Sequence, residues 1–242
     1  MKPASWSRLS WVGGLLLGAV ALNHGQQAQP TPARPLTWEF LISKNYLPYH
    51  QLKPEDFPID DHTHPKFGFF VKCFVQPSFH FVTGQSPGGY FYIHITDWTI
   101  FSGLNKNESF RRSNLPDVKA ALPAAQAILD LNEIYARQLA AMLPGDLPVG
   151  DGPTYEKAYA QLVGRVTGLV QATLANAEKE EEAFSDATSG GRDQRKARAL
   201  GAAIKKRLTA ISAATPTPAV PAIPPVPSVS ATASPSPTTS PR

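Results

Sequence analysis

The chain has 242 residues, a formal net charge of +4 and 42% hydrophobic residues. This apolar content is sufficient for a hydrophobic core and excludes a fully disordered chain. A single cysteine, Cys73, excludes an intrachain disulfide framework and a cysteine-rich zinc finger. A nucleic-acid-binding protein usually carries a dense basic patch, so we expect no nucleic-acid partner.

Residues 1–28 have the pattern of an export signal. Lys2 and Arg8 give a positively charged start, residues 11–22 form a short apolar segment, and the A-x-A pattern that begins at Ala19 is typical of a cleavage site. The apolar segment is shorter than the roughly 20 residues that span a bilayer. We therefore predict a cleaved signal peptide and export to the periplasm, the cell envelope or the extracellular space. The alternative is an uncleaved anchor, which would be the protein's one contact with a membrane.

Aromatic and β-branched residues are frequent in residues 36–112 and predict a small, mostly antiparallel sheet without helical periodicity. Pro77 is expected to separate two strands, and the turn at residues 85–89 is expected to close a hairpin. Cys73 lies in an apolar strand and is expected to be a buried, inert thiol. The expected strands are 36–42, 67–75, 78–83 and 90–98.

After Pro116 the spacing of apolar residues becomes helical and predicts three helices. The first has Pro123 in its first turn and ends at Pro144, the second covers about 154–184, and the third about 192–211. The expected buried stripes are Ile128, Leu131, Tyr135, Leu139 and Met142 in the first helix, Tyr155, Tyr159, Leu162, Val166, Leu169 and Thr173 in the second, and Leu200, Ile204, Leu208 and Ile211 in the third.

These elements together predict one α+β domain at residues 36–211, with the sheet in the N-terminal half followed by three helices. Residues 213–242 contain Ala, Pro, Ser, Thr, Val and Ile before the final Arg, and we expect this tail to be disordered. The acidic run at residues 178–182 is expected to be solvated. The third helix presents a basic face that is either solvated or binds an anionic partner: Arg192, Arg195, Lys196, Arg198, Lys205, Lys206 and Arg207.

The first helix contains AAQAILDLNEIYARQL at residues 124–139. This segment resembles the motif HEQxHFD[IL]xE[IL]YARxL of an uncharacterised family of bacterial exported proteins with HExxH-type zinc-metallopeptidase domains. Weaker similarities to that family at residues 52–57, 108–111 and 184–191 extend the resemblance over about residues 36–211. The matching polar or glycine positions are Gln126, Asp130, Glu133, Tyr135, Arg137, Thr188 and Gly191.

The positions that carry the family's chemistry differ in this chain. Ala124 and Ile128 replace the two histidines, Ala125 replaces the glutamate, and Gly190 replaces a later histidine. Zinc hydrolysis needs the imidazoles to bind the metal and the carboxylate to take a proton from the metal-bound water. The resemblance therefore implies a pseudoenzyme with no catalytic residues and no cofactor, which has a binding or structural role toward an unknown protein or cell-envelope ligand.

Two alternatives remain for the function. His62 and His64 point the same way in an extended segment and could hold zinc in a divergent peptidase. The basic third helix could instead tether the protein to an anionic envelope polymer. For the retained polar residues, Glu133 and Arg137 have the i, i+4 spacing of a helical ion pair, which favours a scaffold role, whereas an inherited binding role for Tyr135 and Arg137 is the alternative.

Overall fold

A five-stranded sheet forms the centre of the N-terminal half, as expected for an α+β protein. The computed structural model describes residues 19–21, 36–61, 69–115, 117–142 and 144–214. The strands are β1 (Ala19–Ala21), β2 (Tyr46–Pro48), β3 (Phe69–Phe70), β4 (Cys73–Gln85), β5 (Phe91–Asn105), β6 (Phe110–Arg111) and β7 (Val149–Gly152). The order in the five-stranded sheet is β1-β4-β5-β2, with β7 also paired to β5, and β3 and β6 form a separate two-stranded sheet.

The hairpin of β4 and β5 is the main structural unit of the sheet, and its turn confirms the predicted one. Gly89 has φ of 82°, a left-handed conformation that favours glycine. The predicted interruption at Pro77 was wrong, because β4 continues through this residue and pairs it with Ile100. Among the described residues, the other edge of β4 pairs with β1 at residues 79–81.

The predicted first strand at 36–42 was also wrong, because α1 (Trp38–Ser43) is a short helix. Thr37 caps it: the Thr37 side chain accepts a hydrogen bond from the backbone N–H of Phe40. Leu41 is buried, and the Trp38 ring packs edge-on against Phe101 of β5 at 5.0 Å. A helix of six residues is too short to show periodicity in the sequence.

The three predicted helices of the second half are confirmed as α2 (Val118–Ala140), α3 (Tyr155–Ala187) and α4 (Gln194–Ala214). Helix α2 begins earlier than expected, because Asp117 caps it by accepting a hydrogen bond from the N–H of Ala120. Pro123 consequently lies in the second turn instead of the first. Helix α2 contacts the sheet and both later helices.

The buried stripe of α3 differs from the predicted one. It follows Ala158, Leu162, Val166, Val170, Leu174 and Ala177, whereas Tyr155, Tyr159, Leu169 and Thr173 are only half-buried. The same spacing continues to Glu181, which is 3% exposed. The prediction that residues 178–182 are all solvated was therefore wrong, because Glu181 lies on the inner face.

Helix α4 packs on α2 through small residues. Ala197 is buried, and a methyl group at Gly201 would lie 3.5 Å from Cβ of Ala127. Leu208 is buried as predicted, and Ile204 and Ile211 are half-buried. Leu200, which was expected in the core, is 37% exposed because the buried stripe runs through Gly201 instead.

The described chain includes little of the predicted export signal and tail. Residues 19–21 pair as β1 in parallel with residues 79–81 of β4, and the rest of residues 1–28 lies outside the described residues. Helix α4 continues to Ala214, and the remaining predicted tail also lies outside the described part. Among the described helices, none combines the length and hydrophobicity that a membrane span requires.

Gly150 of β7 provides a direct test of the packing between the sheet and α3. A Cβ at this position would lie 2.1 Å from the backbone oxygen of Ala158. We expect Gly150→Ala to lower the free energy of unfolding by about 3 kcal/mol, since backbone atoms must move. Gly168→Ala, on the open side of α3, is the matched control and should raise it by up to about 1 kcal/mol. Equal urea-unfolding midpoints for the two variants would contradict this packing.

Candidate functional site

Helix α2 is buried on all sides over residues 124–134. The β4–β5 hairpin, α3 and α4 all contact it. Four polar side chains lie in this buried stretch: Gln126, Asp130, Asn132 and Glu133. A buried polar group without a hydrogen bond destabilises the fold, so the partners of these side chains indicate what the helix does.

The three α2 positions that differ from the resembled motif are part of an apolar cluster. Ala124 is 4% exposed, Ala125 1% and Ile128 3%. They pack with aromatic residues that include Phe57 of the N-terminal loop and Phe184 of α3. Methyl and butyl side chains offer no lone pair for a metal, and the close packing fills the position that the resemblance assigns to zinc. The zinc implied by the family therefore does not fit these residues.

The fourth position that differs from the resembled motif, Gly190, lies in the turn between α3 and α4. Ser189, Gly190 and Gly191 have φ of 50°, 70° and 74°, so the turn is left-handed throughout. Thr188 is fully buried, and its hydroxyl donates to the carbonyl of Phe184 at 2.8 Å and accepts from the N–H of Gly191 at 2.9 Å. Thr188 and Gly191, which match the family, thus have a clear role in reversing the chain.

Gln126 joins α2 to the loop that follows β2. Its side-chain oxygen accepts from the backbone N–H of Leu52 at 2.7 Å and from Gln51 Nε2 at 3.0 Å. Its amide nitrogen donates to Asp130 Oδ1 at 2.8 Å. Asp130 also accepts from the hydroxyl of Tyr49 at 2.7 Å, so the two α2 residues hold the loop at both ends.

Tyr49 connects this network to α4. Lys205 Nζ donates to the Tyr49 hydroxyl at 2.9 Å and lies 5.5 Å from the ring centroid. The Arg137 guanidinium lies 5.8 Å from the same ring. Burial and the neighbouring Asp130 carboxylate raise the pKa of Tyr49, so its hydroxyl keeps the proton that it donates.

Glu133 and Arg137 form the predicted i, i+4 ion pair, with Arg137 Nε 2.7 Å from Glu133 Oε1. The other carboxylate oxygen of Glu133 accepts from the Ser102 hydroxyl of β5 at 2.5 Å. Arg137 also donates to the Ser212 hydroxyl of α4. Burial raises the pKa of the Glu133 carboxyl, while both hydrogen bonds act in the opposite direction. The pair thus links the sheet, α2 and α4.

Tyr135 faces the junction of α3 and α4 and is only half-buried, whereas it was expected on the buried face. Its hydroxyl donates to Glu180 of α3. Arg207 of α4 contacts the same carboxylate at 2.7 Å and lies 5.7 Å from the Tyr135 ring centroid. Tyr135 and Arg137 are therefore engaged in contacts between helices, which supports the scaffold interpretation over an inherited binding role.

His50 forms a second charged contact in the loop, which the sequence analysis missed. Its Nε2 lies 2.8 Å from Asp56 Oδ2, and its Nδ1 lies 2.7 Å from the Pro48 carbonyl oxygen. Both ring nitrogens face acceptors, so the doubly protonated imidazolium satisfies both contacts. The hydrogen bond to Asp56 raises the pKa of His50. The signal in the sequence was the six-residue spacing of a histidine and an aspartate around a Lys-Pro turn.

A further group of buried polar residues surrounds the start of β4. Lys72 is 4% exposed, Cys73 is a buried free thiol, and Asn132 of α2 donates to Glu181 of α3. Burial lowers the pKa of Lys72 and raises that of Cys73. Cys73 is thus buried, as predicted, and burial favours its neutral thiol over the thiolate.

No set of three or more His, Cys, Asp or Glu side chains with the geometry for a metal ion occurs within the described ranges. The proposed alternative ligands, His62 and His64, fall in residues 62–68, outside the described part of the chain. That alternative thus stays a prediction.

Comparison of the chain with protein-family models, curated proteins and solved structures gives no match. The family resemblance of residues 124–139 accordingly stays a prediction.

The ion pair of Glu133 and Arg137 is expected to be important for stability because both side chains are largely buried. We expect Arg137→Met to lower the free energy of unfolding by about 3 kcal/mol, since it leaves a buried carboxylate without its charged partner. The double variant Glu133→Leu with Arg137→Met should recover part of this loss. Chemical denaturation of both variants tests this, and a loss below about 1 kcal/mol in the single variant, as for a surface pair, would contradict it.

The contact of His50 with Asp56 predicts that the stability of the fold depends on pH. The pKa of His50 in the folded protein lies above its ordinary value of 6.5. Its contribution to the free energy of unfolding is therefore complete below pH 6.5 and is lost as pH rises through the raised pKa. We expect the stability difference between wild type and His50→Gln to shrink from pH 6 to pH 9. Thermal unfolding at both values measures it. A difference that is constant with pH would show that His50 is neutral in the fold.

Proposed function

We propose that this protein is an exported, non-catalytic domain of metallopeptidase-like pattern, with a binding or structural role in the cell envelope or the extracellular space. The observation that carries this proposal is the packing of Ala124, Ala125 and Ile128 in the apolar cluster around α2. These are the positions where the resembled family has its zinc ligands and general base, and here they contribute core volume instead.

The retained motif residues support the same proposal. Gln126 and Asp130 hold the loop at residues 49–52, and Glu133 and Arg137 link β5 to α4. Each of these contacts is an interaction within the fold and needs no metal or substrate. The matches to the family are therefore explained by the requirements of a buried helix.

The experiment reinstalls the motif by Ala124→His, Ala125→Glu and Ile128→His. In a filled core, these side chains bury polar groups and exceed the available volume. We therefore expect the free energy of unfolding to fall by more than about 3 kcal/mol, or the variant not to fold. The milder Ile128→His alone should still destabilise by about 2 kcal/mol, and zinc should not restore its stability. Ala203→His, on the exposed face of α4, is the matched control and should change little. Zinc-dependent recovery of the melting temperature in the triple variant would contradict the proposal that these three positions are filled by apolar packing.

Metal content of the unmodified full chain provides the complementary measurement. After dialysis against zinc and removal of free metal, we expect less than about a tenth of an equivalent, because catalytic zinc sites need three protein ligands. Near one equivalent together with chelator-sensitive peptide hydrolysis would overturn the proposal. His62→Ala with His64→Ala would then show whether those residues bind the metal.

A further inference from the structure

The positive charge of the protein is concentrated on α4. Residues 192–212 contain seven Lys or Arg side chains and one acidic residue, Asp193, which gives a net charge of +6. Because the whole chain has a net charge of +4, all other residues together carry −2. The excess positive charge thus belongs to a single helix and its first turn.

Three of the seven cations have partners within the fold. Lys205 donates to Tyr49, Arg207 pairs with Glu180 at 2.7 Å, and Lys196 lies 3.6 Å from Asp193. The other four are exposed, and no acidic side chain of the described residues lies within salt-bridge distance of them. These four, which we call the outer cations, are Arg192, Arg195, Arg198 and Lys206.

Two of the outer cations, Arg195 and Lys206, lie opposite the packed side of α4, whereas Arg198 lies on its flank and Arg192 precedes the helix. With 100° per residue, Arg195 and Lys206 point away from the buried residues Ala197 and Leu208. They are separated by about 16 Å along the helix axis. Ala202, which lies between them on the same face, is exposed and small, so an extended ligand can approach the backbone of α4 closely.

We propose that the outer face of α4 binds an extended polymer that carries phosphate groups. Guanidinium and ammonium groups form charge-assisted hydrogen bonds with phosphate. Arg195 and Lys206 lie on one face of α4, so they can contact successive phosphates of a repeating anion. The envelope location of this polymer rests on the proposed function above.

Two other anionic partners fit the face less well. A helix that binds a bilayer surface buries a broad apolar face, but the apolar face of α4 is packed against α2 and its one exposed large apolar residue is Leu200. Single-stranded nucleic acid is bound by stacking its bases on aromatic side chains, and residues 192–212 contain no aromatic residue.

The test measures binding of the full chain to poly(glycerol phosphate) at low and high salt. The variant Arg195→Gln, Arg198→Gln and Lys206→Gln should lose affinity by at least roughly tenfold, since each cation near an anionic surface contributes several-fold. The matched control removes three exposed lysines elsewhere, Lys44→Gln, Lys157→Gln and Lys179→Gln, with the same change in net charge. We expect the control to lose less than about threefold, and wild-type affinity to fall steeply with salt.

Several results would overturn the proposal: no binding by wild type, equal loss in both triple variants, or affinity that is independent of salt. Tighter binding to phosphatidylglycerol vesicles or to a DNA oligonucleotide than to poly(glycerol phosphate) would replace the polymer with that partner. These outcomes are distinct from failure of the proposed function, which zinc content and chelator-sensitive hydrolysis report. A chain that binds neither zinc nor polymer leaves the non-catalytic proposal standing.

Discussion

The burial of α2 on all sides is the constraint on which the rest of the fold depends. A helix between a sheet and two other helices cannot hydrate its polar side chains, so each needs a partner from a neighbouring element. Gln126 and Asp130 fix the loop after β2, and Glu133 and Arg137 fix β5 and α4. The polar network and the apolar cluster therefore act together: apolar packing supplies the burial, and the hydrogen bonds specify which elements surround the helix.

The sequence predicted those parts of the fold whose periodicity extends over several turns or pairs. The β4–β5 hairpin and the three helices of the second half follow from such long patterns. Where the pattern was short or mixed, the prediction from the sequence was wrong. Helix α1 has fewer than two turns, and its Trp38 packs against Phe101 of β5 in the way that a strand residue would. Glu181 was assigned to solvent because it lies in a charged run, although its spacing from Leu174 and Ala177 places it on the buried face.

The candidate site illustrates a different limit of prediction. The i, i+4 spacing of Glu133 and Arg137 was sufficient to predict their ion pair, but no local pattern indicates that Ser102 or Ser212 completes it. Those partners come from elements far away in the chain, and only the tertiary structure brings them to α2. The same holds for Tyr49, which lies in a loop and contacts two helices. Sequence motifs therefore identified the central helix, while the identity of its neighbours depended on packing.

Ala124, Ala125 and Ile128 place apolar side chains in the buried stretch of α2. Apolar side chains need no hydrogen-bonding partner there, unlike the polar side chains beside them. Helix α4 connects this buried helix to the surface. Its inner face is held by Gly201 against Ala127 and by Lys205 on Tyr49, so the network that stabilises the centre also fixes the orientation of the outer cations. A rigid helix presents its charges at constant spacing and would lose little conformational entropy on binding the phosphate polymer that we propose.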